Sequence, residues 1–213
     1  MPLAGKPMVE WSIAAMRAVA GVSSIIIACP PGHVHDLGSH DLDVVDGGAT
    51  RAQSVANALA VVETELVAIH DAARPLVTPE LVEGVVATLV ADPEADGAIA
   101  APPVSDTIKR AASGSMKHLG AHRGPNPSSN VEETVDRGQL WAAQTPQVFR
   151  VEALRRALEV DPAQIDTATD EAMLVEAAGG RVLVHPSLPE NLKVTTPTDL
   201  RLAGLLLSER SAQ

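Results

Sequence analysis

Ser24-Ile25-Ile26-Ile27-Ala28-Cys29 is apolar and largely β-branched after its first residue, and it stops at Pro30-Pro31-Gly32. A run with no polar alternation suits a strand covered on both faces, as in a parallel sheet. Leu66-Val67-Ala68-Ile69-His70 has the same character and ends at Asp71. Around these two runs the chain alternates strand-like and helix-like segments. Residues 8–19 carry helical spacing (Met8, Ile13, Met16, Val19) and close at Gly21. Asp43-Val44-Val45-Asp46 is a short strand closed by Gly47-Gly48, with a helix over 51–63. Thr78-Pro79 places an N-cap and a first-turn proline ahead of a helix to about residue 90. Further strands fall at 97–101 and 181–185, and helices at 151–160 and 170–178. Thr196-Pro197-Thr198-Asp199 forms a capping box for a last helix. The pattern predicts an α/β fold, with a mainly parallel open sheet and helices on both faces.

The 213 residues suffice for a single domain, and 46% are hydrophobic against 20% charged. Only Trp11, Trp141 and Phe149 are aromatic, so the core is aliphatic, and the composition argues against base-stacking platforms for single-stranded nucleic acid. Sixteen basic and 27 acidic residues leave a net charge of −11, which disfavours nucleic acid and anionic membranes as partners. Cys29 is the single cysteine and can form neither an internal disulfide nor a cysteine metal site. No apolar run reaches the roughly 18 residues of a membrane span. The expectation is a cytoplasmic protein.

Ligands of open parallel sheets gather beyond the carboxyl ends of strands, so the residues that follow each strand are the candidates. Gly47-Gly48-Ala49-Thr50-Arg51 leads into a helix start, where an anion or an ordinary strand-to-helix turn fits equally well. Asp71 is placed to hold Mg²⁺, and Arg74 to meet a phosphate; a surface salt bridge is the alternative. Asp106 and Thr107 follow the strand at 97–101 and suit either sugar hydroxyls or turn capping. Lys193 lies beside the last capped helix start. His33 and His35 lack a third ligand at a supporting spacing and read as surface histidines. Residues 111–133 are polar and aperiodic, between Ser105-Asp106-Thr107-Ile108-Lys109 and Thr134-Val135-Asp136-Arg137.

The segments Gly5-Lys6-Pro7-Met8, Gly47-Gly48-x-x-Arg51-x-x-Ser54, His70-Asp71-Ala72-Ala73-Arg74-Pro75, Asp106-Thr107-Ile108-Lys109, Thr134-Val135-Asp136-Arg137, Gln144-Thr145-Pro146-Gln147, Thr169-Asp170-Glu171-Ala172 and Asn191-Leu192-Lys193-Val194-Thr195 occur in that order. Together they resemble the 2-C-methyl-D-erythritol 4-phosphate cytidylyltransferase family over nearly the whole chain. The resemblance implies a nucleotide-diphospho-sugar transferase-like fold, and cytidylyl transfer from CTP to the polyol phosphate with Mg²⁺ as cofactor. It places Asp71 on the metal. Gly47, Gly48, Arg51, Ser54 and Ala72 fall to the nucleotide. Arg74, Asp106, Thr107 and Thr145 fall to the polyol, and Arg137 and Lys193 to its phosphate as catalytic cations. It also implies a homodimer built through an arm at residues 105–137 that projects from a single domain of residues 1–213. Relatives acting on ribitol 5-phosphate share these motifs, so that polyol stays open, as does a non-catalytic truncated homologue.

The family's opening strand and its Pro-Ala-Ala-Gly-x-Gly-x-Arg loop have no counterpart ahead of Met1-Pro2-Leu3-Ala4-Gly5-Lys6. The expectation that follows is a truncated or misplaced start. The first central strand would be absent, the chain would be impaired in turnover, and a slit would lie between the strands at 24–29 and 66–70.

Overall fold

The computed structural model describes residues 1–33, 42–111, 130–159 and 168–211. His35, most of the polar stretch at 111–133 and the end of the helix expected at 151–160 lie outside these residues. The chain divides into two compact units, one of Met1–Ala101 with Ala143–Gln213, the other of Pro102–Ala142.

The first unit opens with a two-residue hairpin, β1 (Pro2–Leu3) and β2 (Lys6–Pro7), turned by Ala4 and Gly5 at φ of 46° and 85°. Leu3 is buried against Leu76, Val194, Ala203 and Leu207. The next elements are α1 (Met8–Arg17), β3 (Ile26–Cys29), β4 (Asp43–Asp46), α2 (Arg51–Leu59), β5 (Leu66–Ile69), α3 (Pro79–Val90) and β6 (Gly97–Ala101). Within the second unit, β7 (Lys109–Ala111) and β8 (Val131–Thr134) form an exposed antiparallel ribbon. The chain then returns to the first unit through β9 (Gln147–Arg150), α4 (Val151–Ala157), α5 (Glu171–Ala177), β10 (Val182–Pro186) and α6 (Pro197–Ser211).

The sheet is mixed rather than mainly parallel. Its order is β10-β6-β9-β5, and β9 runs antiparallel to both of its neighbours. Among the described residues only β10–β6 and the separate β3–β4 pair are parallel. β9 escapes a periodicity reading because it has four residues, two of them polar, and leads at once into α4. Its Phe149 is fully buried and centres a core with Ile99, Leu154 and Val175.

Among the described residues β3–β4 is not hydrogen-bonded to the four-stranded sheet. Strands β3 and β5 both line an apolar cavity of about 650 Å³. The consequence shows in burial. All five residues of β6 are buried, whereas Ala28 and Ala68 are exposed and Ile26, Ile27, Val67 and Ile69 only half-buried. Runs with the composition of doubly covered strands therefore keep one open flank. No helix of the described residues is long and apolar enough to cross a membrane.

The expected helix starts are present. Thr78 Oγ1 accepts from Leu81 N at 3.3 Å, with Pro79 in the first turn. Thr196 and Asp199 cap α6 reciprocally, at 3.2 and 2.8 Å.

Candidate active site

Asp71 stands just beyond the end of β5, and the segment around Lys193 is clamped onto the turn that follows it. Val194 N donates to Ala73 O at 2.7 Å, and Arg74 Nη1 donates to Asn191 O at 2.8 Å. This brings Lys193 Nζ to 2.8 Å from Asp71 Oδ2. Arg51, the first residue of α2, reaches the other carboxylate oxygen, with Nε 3.0 Å from Oδ1. Burial pushes the Asp71 carboxyl up, but the hydrogen bonds and charges of Lys193 and Arg51 outweigh it and leave the pKa below its ordinary value.

The turn is fixed from behind by a chain of hydrogen bonds. Asp71 N donates to Thr145 Oγ1 at 3.0 Å. Thr145 Oγ1 lies 3.1 Å from His70 Nδ1, and His70 Nε2 lies 3.1 Å from Arg74 O. A carbonyl can only accept, so Nε2 carries the proton, Nδ1 accepts, and the threonine hydroxyl donates to it. Burial pushes the His70 pKa down to about 4, so the ring is neutral and every hydrogen in the chain has one direction.

Gln144 and Gln147 flank this threonine and are buried. Gln144 Oε1 accepts from Ser187 Oγ at 3.1 Å and from Asn191 Nδ2 at 2.8 Å. Gln147 Nε2 donates to Asp170 Oδ2 at 2.9 Å. Arg51, Asp71, Arg74, Thr145, Thr169, Asp170 and Lys193 line one cleft of about 190 Å³. Arg51, Asp71 and Lys193 also border the larger cavity beside β3 and β5.

The structure thus brings Asp71, Arg74, Thr145, Lys193 and Arg51 together. Gly47, Gly48 and Ser54 form the turn ahead of α2, where the backbone amides serve the fold. Gly47 N donates to Cys29 O at 2.6 Å, and Gly48 N to Ser54 Oγ at 3.0 Å. A Cβ at Gly48 would lie 2.3 Å from the Cβ of Gln53, so the glycine is demanded by packing whatever binds there. Ala72 is exposed and borders the larger cavity. Asp106, Thr107 and Arg137 are exposed residues of the second unit, in which Arg137 Nη1 donates to Ser105 O.

Two participants are not singled out by sequence reading. His70 ends a strand and reads as part of it. Glu171 opens a helix, where an acidic residue is ordinarily solvated. Its side chain is instead fully buried, with both carboxylate oxygens 2.6 Å from Arg51 Nη1. Burial lowers the Arg51 pKa, and Glu171 and Asp71 more than reverse this. Among the described residues no three His, Cys, Asp or Glu side chains are grouped to hold a metal by themselves.

An α/β body that sets three cations around one carboxylate at the end of a strand has the organisation of an enzyme handling a polyanion. The family of 2-C-methyl-D-erythritol 4-phosphate cytidylyltransferases (IspD) matches residues 1–209, and the chain belongs to that family. A relative of that name from Aeromonas hydrophila is 39% identical over the whole of this chain and 83% of its own length. One from Acidobacterium capsulatum is 38% identical, over 100% and 88%. The crystal structure of the Thermus thermophilus cytidylyltransferase has a TM-score of 0.78 at 31% identity, covering 97% of this chain and 92% of that one.

Proposed function

We propose that this chain catalyses CTP-dependent cytidylyl transfer to 2-C-methyl-D-erythritol 4-phosphate, in the non-mevalonate route to isoprenoids. A phosphate oxygen of the polyol phosphate attacks the α-phosphorus of CTP. The bond from that phosphorus to the bridging oxygen breaks, and pyrophosphate leaves with the electron pair. Family membership and the cluster of Arg51, Arg74 and Lys193 around Asp71 carry the reading. Phosphoryl chemistry of this kind demands positioning and charge neutralisation more than a strong base.

In this reading Lys193 and Arg74 bind and orient phosphate oxygens. Arg74 lines the cleft with Nη1 on Asn191 O, and its Nε has no hydrogen-bond partner among the described residues. Thr145 and neutral His70 hold the Asp71 turn in place. Mg²⁺ takes one or two carboxylates and completes its shell with phosphate and water oxygens, so Asp71, which lines the cleft, would hold it through Oδ2 in place of Lys193. Bound there, the ion would neutralise charge on the triphosphate. By the same resemblance we assign Asp106, Thr107 and Arg137 to the polyol phosphate, the ribbon-bearing unit to a homodimer contact, and the protein to the cytoplasm.

The test is incubation of the protein with CTP, Mg²⁺ and either 2-C-methyl-D-erythritol 4-phosphate or ribitol 5-phosphate, followed by ³¹P NMR. A diphosphodiester and pyrophosphate with the first acceptor are expected. Turnover with ribitol 5-phosphate alone, or with neither, overturns the reading.

A further inference from the structure

We propose that Glu171 is a positioning residue that acts through Arg51, confining its guanidinium to one oxygen of Asp71 so that the other, which Lys193 holds in this structure, is left to an exchangeable cation. This rests on the reading of Asp71 as the metal-bearing carboxylate. Arg51 is fastened between two helix starts. Its backbone opens α2, and its Nη1 is gripped by both oxygens of Glu171, which opens α5. That second helix start is itself fixed, because Asp170 Oδ1 accepts from Met173 N at 3.0 Å and Oδ2 from Gln147 Nε2 at 2.9 Å.

The charge count gives the arrangement its purpose. Glu171 cancels Arg51, so only Nε reaches Asp71, on Oδ1 alone. Asp71 therefore keeps its negative charge for a second cation at Oδ2. The group there is Lys193, whose side chain is 43% exposed, so a cation from solvent can compete with it for that oxygen. A fully buried carboxylate bound to arginine adds little to stability compared with an apolar pair of the same size, so stability alone does not account for Glu171. Released from Glu171, Arg51 would turn its fork onto both oxygens of Asp71, the preferred bidentate geometry, and close the carboxylate to other cations.

The experiment titrates Mn²⁺, followed by electron paramagnetic resonance, into the full chain as wild type, Glu171→Gln, Arg51→Gln and the double variant, with the KM for CTP and kcat measured alongside. Glu171→Gln should weaken Mn²⁺ binding about 10–100-fold, the range for a group that supports a metal ligand. It should raise the KM for CTP more than it lowers kcat. The double variant should recover most of the loss, because the competing arginine is gone. Wild-type Mn²⁺ affinity in Glu171→Gln overturns the proposal. A double variant no better than Glu171→Gln also overturns it, and makes Glu171 a scaffold residue. If Glu171→Gln does not fold, Arg51→Gln and the double variant must bind Mn²⁺ equally; unequal binding, or loss of fold in all three, overturns it. A wild-type chain that lacks cytidylyl transfer yet gives the expected Mn²⁺ series would remove the proposed function and leave this inference standing.

Discussion

Lys193 Nζ lies 2.8 Å from Asp71 Oδ2 across 122 residues of sequence. The ion pair links the turn after β5 to the segment that leads into α6, and it is open to solvent on the lysine side. An exposed pair of this kind contributes at most ~1 kcal/mol to stability. Lys193→Ala should therefore leave the midpoint of thermal unfolding nearly unchanged. Its kcat should fall about 10²–10³-fold, as for loss of one preorganised charge donor. Unfolding curves and steady-state kinetics on the same preparation check both halves.

The threonine that ties Asp71 to His70 gives a sharper case. Thr145→Val keeps the volume but strands the Asp71 amide and His70 Nδ1, at a cost of about 1–3 kcal/mol. Thr145→Ser keeps the hydroxyl and should restore stability and activity together. Denaturant midpoints and kcat/KM for both variants decide it.

His70 sets an acid limit. Its folded pKa of about 4 lies below the 6.5 of a free imidazole, so the unfolded chain binds more protons between these values. Stability therefore rises with pH through this window and is lost as pH falls from 6.5 toward 4, by up to about 3 kcal/mol. His70→Gln should flatten that part of the curve. Chemical denaturation at half-unit pH steps, wild type against variant, isolates the histidine from the carboxylates.

Gly48→Ala should destabilise by about 1–3 kcal/mol, the range for overpacking, because the new methyl collides with Gln53. Gln53 and Ser54 would have to move, and the start of α2 with them, so Arg51 should lose its alignment with Asp71. A lower denaturant midpoint with a raised KM for CTP is the expected pair of results.

The open flanks of β3 and β5 predict uneven hydrogen exchange. The amides of β6, paired on both sides, should exchange slowly. The β5 amides that point away from β9 should exchange orders of magnitude faster. Mass-resolved exchange over fragments covering 66–69 and 97–101 tests this.

The body of the fold is legible in the sequence because its helices carry spacing and caps and its longer strands carry unbroken apolar runs. Thr78-Pro79 and Thr196 to Asp199 work as written. β9 is not legible, since four residues between a proline and a helix start hold no period. Its antiparallel course makes the sheet mixed. In the site, Asp71, Arg74 and Lys193 can be read because they follow strands or precede a capped helix. Glu171 cannot, because its burial depends on an arginine 120 residues away. The close approach of Gln53 to Gly48 is likewise not legible, since only packing brings that side chain near.

The placement of the two tryptophans supplies the protein with its own instrumentation. Trp11 belongs to the first unit, with Nε1 bonded to Leu3 O at 3.0 Å and Lys6 Nζ 3.7 Å from its ring centre. Trp141 belongs to the second unit, bridged to Pro103 and 42% exposed. No tyrosine shares their spectrum. A collisional quencher such as acrylamide dims the exposed indole in preference, and replacing either tryptophan by phenylalanine leaves a single emitter. Unlabelled protein thus reports on each unit separately, one indole reading the body that carries Asp71 and the other the unit that carries Arg137.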